Sequence, residues 1–232
     1  MRLYWIRHGE MEFPPVSVIE HEMIDRFFNA EHQGPLTARG RDEARRVASH
    51  LTKIGVDAIY ASPLVRARET ADFTANALAL PVRENEDIAE IRCGRLGSAS
   101  RAAPFLKAAQ RLPVPERARA ALVGSVLLPI YWTRWLRDET EGGESPMNVV
   151  ERLVRFLGHL RASHGPRDSI AIFSHGYLIY FFANFLADPA ARIRNSVRRP
   201  YIRNGSITQV EVHASGRYQI IDYAEHAHLR AP

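Results

Sequence analysis

Near its start the chain reads Leu3-Tyr4-Trp5-Ile6-Arg7-His8-Gly9-Glu10, in which an apolar run is followed directly by a cation, an imidazole and a glycine. The apolar run predicts a short buried strand. Polar residues that follow such a strand lie at the carboxyl edge of the sheet, where open α/β sheets bind ligands. Gly9 allows a sharp turn and a close approach of a ligand to the backbone. We interpret His8 as a candidate nucleophile and Arg7 as an anion-binding group beside it.

A later part of the chain repeats this arrangement. Ser169-Ile170-Ala171-Ile172-Phe173-Ser174 predicts a second buried strand. His175-Gly176 follows this strand as His8-Gly9 follows the first. The repeat predicts that two strands each deliver a histidine and a glycine to the same edge of one sheet.

Helices and strands alternate along the rest of the sequence. Residues 57–62 predict a strand, and Pro63 is well placed to begin a helix with Arg66 in its first turn, near the same sheet edge. The other predicted elements are a helix from the N-cap Thr37 to a stop at Gly55, a strand at 81–83, a helix capped by Ser145, an apolar helix over 177–187 and a hairpin of 206–213 with 217–223. This alternation predicts an α/β three-layer sandwich, with a mostly parallel central sheet and helices on both faces.

We expect one domain over residues 1–232. Within it, residues 95–140 are rich in Ala, Arg and Pro and lack strand alternation, which predicts a mostly helical insertion over the site. Residues 11–35 contain Pro14-Pro15 and predict an irregular segment, with a short helix over 24–29. Irregular segments of this length in compact domains are usually functional or disordered, and the sequence leaves the role of this one open.

The composition limits the classes of function. The formal net charge is +5, and every basic residue except Lys53 and Lys107 is arginine. Arginine binds phosphate bidentately, and the chain has no run of five basic residues, so we expect a phosphorylated small molecule rather than nucleic acid as partner. Cys93 is the sole cysteine, which excludes an intrachain disulfide. No apolar stretch reaches the ~20 residues that span a bilayer, and we expect a cytoplasmic protein.

These motifs together resemble the histidine phosphatase superfamily, the phosphoglycerate-mutase-like group. The resemblance rests on motifs in the family's order, namely Arg7-His8-Gly9, Gly34-Pro35-Leu36-Thr37, Ser62-Pro63-Leu64 with Arg66, Glu90 with Gly94, Gly143-Glu144-Ser145 and Ser174-His175-Gly176. It covers nearly the whole chain, and the insertion is covered least. The resemblance implies a phosphomonoesterase that forms a phosphohistidine without a metal or another cofactor.

The resemblance also implies a role for each site residue. His8 is the nucleophile that attacks phosphorus, as a neutral imidazole can. Arg7, Arg66 and His175 hold the phosphoryl oxygens, with Gly176 beside them at the phosphate. Glu90 is the candidate general acid, and Glu84, Glu86 and Asp87 are the alternatives to it. Cys93 is expected to be a small buried hydrophobe rather than a nucleophile.

The substrate is not specified by the sequence. Arg95-Leu96-Gly97-Ser98 stands where related mutases and sugar phosphatases often have an acidic residue and a glycine. A phosphoglycerate-mutase-type transfer is the alternative to hydrolysis, and Arg92, Arg95 and Arg101 could hold the second anionic group that it needs. We favour a phosphatase, because no second phosphate site is evident in the sequence.

Two readings from other classes stay open. A catalytically weak member would act as a phospho-ligand or protein-binding module. A membrane-surface protein would use residues 118–132, which are flanked by Arg117, Arg119, Arg134 and Arg137. We prefer a lid helix for this segment because it contains a proline and is short. A homodimer is also open.

Overall fold

The computed structural model describes residues 1–13, 15–18, 26, 29–95, 102–187 and 202–230. The chain divides into two compact units. The first contains residues 1–12, 33–90 and 151–232, and the second contains residues 13–32 and 91–150. The division between the units falls close to the boundaries of the segments 11–35 and 95–140 that the sequence set apart.

The first unit is built on a six-stranded sheet. Its strands are β1 Arg2–Arg7, β2 Ala58–Ala61, β3 Val82–Glu84, β4 Ser169–Ser174, β5 Ile207–Val212 and β6 Tyr218–Glu225. Their spatial order is β3-β2-β4-β1-β5-β6, with parallel pairing from β3 to β1 and antiparallel pairing of β5 with β1 and of β6 with β5. The predicted mostly parallel sheet and the predicted hairpin are confirmed.

Six α-helices accompany the sheet in the part of the chain that the structure describes. They are α1 Ala38–Ile54, α2 Val65–Leu78, α3 Ala102–Gln110, α4 Glu116–Leu136, α5 Pro146–Ser163 and α6 Gly176–Phe181, which continues as a π-helix over Phe182–Ala187. Both predicted N-caps are present. The Thr37 side chain accepts a hydrogen bond from the Gly40 N–H at 3.0 Å, and the Ser145 hydroxyl accepts one from the Asn148 N–H at 3.2 Å.

Helices cover both faces of the sheet. On one face, Ile6 of β1 belongs to a buried cluster that includes Val47 of α1 and also residues of α2. On the other face, the Trp5 ring lies 6.0 Å from the ring of Phe156 in α5 and 4.7 Å from that of Phe182. Adjacent residues of a strand point to opposite faces, so β1 is buried on both sides, which explains its apolar run.

The second unit is helical, as predicted for residues 95–140, and contains α3 and α4. The buried side chains of α4 recur at four-residue spacing, at Val123, Leu127, Tyr131 and Trp135. This stripe is the buried side of the helix, as expected of an amphipathic helix. No helix among the described residues is long and apolar enough to cross a membrane. Most of the short helix predicted over 24–29, and residues 96–101, lie outside the described residues.

The predicted start of α2 is wrong by two residues. Pro63 was expected at the first helical position, but the helix begins at Val65, and Leu64 before it is extended, with φ −64° and ψ 131°. The Ser62 hydroxyl accepts a hydrogen bond from the Leu64 N–H at 3.3 Å, which forms a local turn and delays the helix. Arg66 nevertheless lies in the first turn of α2, as predicted.

The turn after β1 lies against the start of α1 at a contact that only glycines allow. A Cβ on Gly9 would lie 2.5 Å from the Gly40 carbonyl oxygen, and a Cβ on Gly40 would overlap the Glu10 carbonyl oxygen. Real Cβ atoms do not approach backbone this closely, so the turn and the helix can meet only without these two side chains. The glycines therefore fix the path of the chain directly after His8.

We predict that Gly40→Ala destabilises the protein, because the added methyl group must displace backbone at this contact. Overpacking of this kind costs ~1–3 kcal/mol. The matched control is Gly158→Ala in α5, where no atom lies within 4 Å of an added Cβ. It should be neutral or stabilising by up to ~1 kcal/mol. Urea unfolding measures both, and equal stabilities of the two variants would contradict the contact.

Candidate active site

The parallel pairing of β1 with β4 brings the two predicted histidines together. Arg7 is paired with Ser174, so His8 and His175 follow at the same edge. The His8 N–H donates to the Ser174 carbonyl at 3.0 Å, and the two imidazole rings lie 5.1 Å apart. The predicted convergence of the two strand ends is therefore observed, and it results from the sheet register.

His8 is held in one tautomer. Its side chain is buried, and its Nδ1 lies 2.8 Å from the Gly9 carbonyl oxygen, which can only accept. Nδ1 must therefore carry the proton, and Nε2 keeps a lone pair, towards which Arg66 Nε donates at 3.2 Å. Burial, and then the charges of Arg66 and Arg7, hold the pKa of His8 well below its usual value of 6.5. The imidazole is thus neutral at neutral pH.

His175 is buried completely, and Ser62 orients it. The Nε2 atom lies 2.7 Å from the Ser62 hydroxyl oxygen. Its Nδ1 is buried and has no hydrogen-bond partner among the described residues. Burial lowers the pKa of His175 well below its usual range, and the charges of Arg66, Arg7 and Arg152 lower it further. If the Ser62 hydroxyl donates to Nε2, then Nδ1 carries the proton and can donate it to an anion.

Arginines supply the positive charge of the site. Arg66 is 3% exposed, and burial lowers the pKa of its guanidinium to about 10, although the charge of Glu90 opposes that shift. Arg7 Nη1 donates to the Ile202 carbonyl oxygen. A Cβ on Gly176 would lie 3.3 Å from Arg7 Nε, so Gly176 makes room for this guanidinium. A guanidinium group can bind an oxyanion bidentately, so these two cations favour an anion at the site.

Glu90 lies at the start of α6. Its carboxylate accepts hydrogen bonds from the N–H groups of Tyr177 at 3.3 Å and Leu178 at 3.0 Å. The alternatives are engaged elsewhere or exposed: Glu84 pairs with Arg68, Asp87 pairs with Arg155 and Glu86 is exposed. Of these four carboxylates, Glu90 is the one whose charge raises the pKa of Arg66. The geometry therefore favours Glu90 as the acidic group of the site.

Three side chains at the site had no role in the sequence reasoning. Ser62 stands in a motif that was noted, but its contact with His175 was not foreseen. Arg152 is buried, and its Nη1 donates to the carbonyl oxygens of Asp87 at 2.6 Å and Ala89 at 2.9 Å. Asn204 Nδ2 donates to the His8 carbonyl at 3.0 Å. The Asn-Gly dipeptide at 204–205 is a turn signal that could have drawn attention to this loop.

Two predicted features cannot be placed at this site. Arg101 and residues 96–98 lie outside the described residues, and Arg92 and Arg95 belong to the second unit.

Cys93 is buried, in agreement with the expected small hydrophobe. Among the described residues, no group of three or more His, Cys, Asp or Glu side chains is arranged so that it could hold a metal ion.

Comparison with known protein families identifies the family to which the chain belongs. The model of the histidine phosphatase superfamily (branch 1) matches residues 3–111 and 127–224, which include all of the predicted site residues. The chain therefore belongs to the histidine phosphatase superfamily. This membership confirms the resemblance that the strand-end motifs indicated.

Individual relatives carry names of more than one activity. Phosphoserine phosphatase 1 of Hydrogenobacter thermophilus is 28% identical over 181 residues, 75% of this chain and 71% of that protein. A probable phosphoglycerate mutase GpmB of Escherichia fergusonii is 28% identical over 222 residues, 93% of this chain and 86% of that protein. The solved structure of a mycobacterial glucosyl-3-phosphoglycerate phosphatase aligns with a TM-score of 0.67 at 23% identity, covering 96% of this chain and 98% of that one. At that identity the structural likeness establishes the fold.

We predict that the protein loses stability as the pH falls below neutrality. The depressed pKa values of His8 and His175 keep the folded state unprotonated, whereas unfolded histidines take up a proton near pH 6.5. The unfolded state then binds more protons, which costs the folded state ~1.4 kcal/mol per histidine between about pH 7.5 and about pH 5.5.

Urea unfolding at these two pH values measures the loss. His175→Gln removes one histidine with a depressed pKa, so this variant should lose less stability over the same interval than the parent. An equal loss in the parent and the variant would show that His175 is not held neutral in the folded protein.

Proposed function

We propose that this protein is a metal-independent phosphomonoesterase that works through a phosphohistidine on His8. The observation that carries the proposal is the state of His8: a buried neutral imidazole, protonated at Nδ1, with its Nε2 lone pair 3.2 Å from a buried guanidinium nitrogen. A nucleophile beside a cation at the carboxyl edge of a parallel sheet suits attack on a phosphoryl group.

In the first step, Arg66 moves its hydrogen bond from His8 Nε2 to a phosphoryl oxygen. His8 Nε2 then attacks phosphorus as the bond from phosphorus to the ester oxygen breaks. Arg7 and Arg66 balance the charge on the phosphoryl oxygens. The buried Nδ1 of His175 supplies a further hydrogen bond to them, since the Ser62 hydroxyl engages the other ring nitrogen. The His8 ring keeps its Nδ1 proton and gains the positive charge of an N-phosphorylated imidazole.

Glu90 serves the leaving oxygen. Hydrogen bonds from two N–H groups favour its ionised form in the free protein, whereas a bound phosphate dianion favours the protonated form. Protonated Glu90 gives its proton to the departing alkoxide. The resulting carboxylate then takes a proton from water, which attacks phosphorus and breaks the N–P bond, releasing phosphate and restoring His8.

Hydrolysis is favoured over the mutase alternative, in which the phosphoryl group returns to a second hydroxyl. Support for hydrolysis comes from relatives named as phosphatases. The alternative is supported by a relative named as a probable phosphoglycerate mutase. A panel of sugar phosphates, nucleotides, phosphoglycerates and phosphoproteins separates them. Release of inorganic phosphate supports the phosphatase, isomerisation of a phosphoglycerate supports the mutase, and binding without either supports the phospho-ligand module.

We predict an acid-labile phosphate on His8 during turnover. Rapid quenching without acid, with ³²P-labelled substrate, should trap labelled protein that loses its label in acid. His8→Ala should abolish both the label and the release of phosphate, because it removes the proposed nucleophile. Turnover of His8→Ala at the parent rate would assign the nucleophile to another residue.

We predict that Glu90→Gln lowers turnover of an alkyl phosphate far more than that of an aryl phosphate. An aryl oxide departs without protonation, whereas an alkoxide needs a proton donor that is typically worth ~100-fold or more. Arg66→Gln is the matched control, and it should slow both esters alike because Arg66 acts on the phosphoryl group. Equal effects of Glu90→Gln on the two esters would show that Glu90 is not the general acid, and Glu84, Glu86 and Asp87 would be tested next.

A further inference from the structure

The peptide group between Gly9 and Glu10 is hydrogen-bonded at both ends. Its carbonyl oxygen, on Gly9, accepts from His8 Nδ1 at 2.8 Å. Its N–H, on Glu10, donates to Glu43 Oε2 at 2.8 Å. A carboxylate is thus joined to the imidazole of His8 through a single amide.

We propose that Glu43 is a positioning residue for His8 that acts through this peptide group. The proposal rests on the proposed role of His8 as the nucleophile. A carboxylate that accepts from an amide N–H polarises the amide and makes its carbonyl oxygen a stronger acceptor. Glu43 thereby strengthens the hydrogen bond that keeps the proton on Nδ1 and the lone pair on Nε2. The same chain of hydrogen bonds stabilises the positive charge that the ring gains when the N–P bond forms.

The surroundings of Glu43 suit this role. The residue is 7% exposed, on the first turns of α1, so its hydrogen bond to the amide is shielded from water. Its other carboxylate oxygen accepts from Arg39 Nε at 3.1 Å. The Arg39 side chain is 73% exposed and also lies 3.6 Å from Glu10, so solvent screening limits how far it neutralises Glu43.

Other side chains bind the peptide group that precedes Gly9, and Glu43 binds the one that follows it. Thr70 Oγ1 accepts from the Gly9 N–H at 3.0 Å. Asn204 donates to the His8 carbonyl at 3.0 Å. Both contacts fix the peptide group that precedes Gly9, and the peptide group that follows it is the one that reaches His8 Nδ1. Of these three side chains, Glu43 is the one that carries a charge.

The test separates the charge of Glu43 from its capacity to accept a hydrogen bond. Glu43→Gln keeps an acceptor for the Glu10 N–H and removes the charge, and Glu43→Leu removes both. The matched control is Glu69→Gln, because Glu69 Oε2 accepts from the Leu36 N–H at the same 2.8 Å and has no link to His8. Single-turnover quenching measures the rate at which His8 is phosphorylated, and ¹H–¹⁵N NMR of the free protein reports the His8 Nδ1–H.

Glu43→Gln should slow the phosphorylation of His8 about 10-fold and Glu43→Leu about 100-fold, within the range for groups that orient a functional imidazole. The KM should change little in both. The His8 Nδ1–H signal should move upfield in Glu43→Gln, and Glu43→Leu should populate the Nε2–H tautomer. Glu69→Gln should match the parent in every readout.

Two outcomes would overturn the proposal. In one, Glu43→Gln phosphorylates as fast as Glu69→Gln and its Nδ1–H signal does not move. In the other, both glutamine variants slow the reaction equally, so that the effect is a general one on folding. If the parent itself forms no phosphohistidine, the proposed function fails, and the NMR signal of the free protein still decides whether Glu43 controls the His8 tautomer. Glu43→Gln keeps the shape of the side chain, so the test does not depend on the folding of Glu43→Leu.

Discussion

The buried imidazoles of His8 and His175 lie with the buried guanidinium of Arg66 and the half-buried Arg7, and the cost of placing a further positive charge among them governs this site. Burial already disfavours charge on His8 and His175, and Arg66 and Arg7 disfavour it further. Arginine side chains remain charged at neutral pH, and Arg66 does so even with its pKa lowered to about 10. Both histidines therefore stay neutral, and a neutral imidazole is the form that can attack phosphorus. In the proposed reaction, the phosphate of the substrate supplies the negative charge that balances this cluster.

The register of β1 against β4 brings these residues together, since they are far apart in the sequence. His8 and His175 are separated by most of the chain, and the parallel pairing of Arg7 with Ser174 makes them neighbours. A shift of one residue in this pairing would point the strand residues to the opposite faces. The buried aromatic contacts of Trp5 on one face and the hydrophobic cluster around Ile6 on the other oppose such a shift. The packing of β1 thus serves the position of His8.

The sequence predicted the features that depend on local pattern. The strand Ser169–Ser174 and the caps Thr37 and Ser145 follow from an apolar run and from hydroxyl side chains before helices, and the structure has them at these residues. The start of α2 was misplaced because a side chain, Ser62, takes the N–H that a helix start would leave open. The prediction that the candidate catalytic residues lie at one edge depended on the recurrence of His-Gly after two strands, which is also a local signal.

Contacts between distant residues could not be predicted in the same way. Glu43 is 33 residues from Glu10 and meets it because two glycines let a turn and a helix touch. Asn204 reaches the His8 carbonyl across nearly the whole length of the chain. Glu43 does not differ by type or spacing from the other polar residues of its helix, and the Asn-Gly dipeptide at 204–205 indicates a turn but not the contact with His8. Their roles depend on tertiary contacts among three elements, and the periodicity of the sequence does not predict such contacts.

The central claim is that His8 Nε2 is the nucleophile within a cradle formed by Arg7, Arg66 and His175. A crystal structure of the protein soaked with orthovanadate tests it most directly, since vanadate adopts the five-coordinate geometry of phosphoryl transfer. The account predicts vanadium bonded to His8 Nε2, with its equatorial oxygens hydrogen-bonded to the two arginines and to His175 Nδ1. Vanadium bonded to His175 or to another side chain, or held at this edge without a bond to His8, would contradict it.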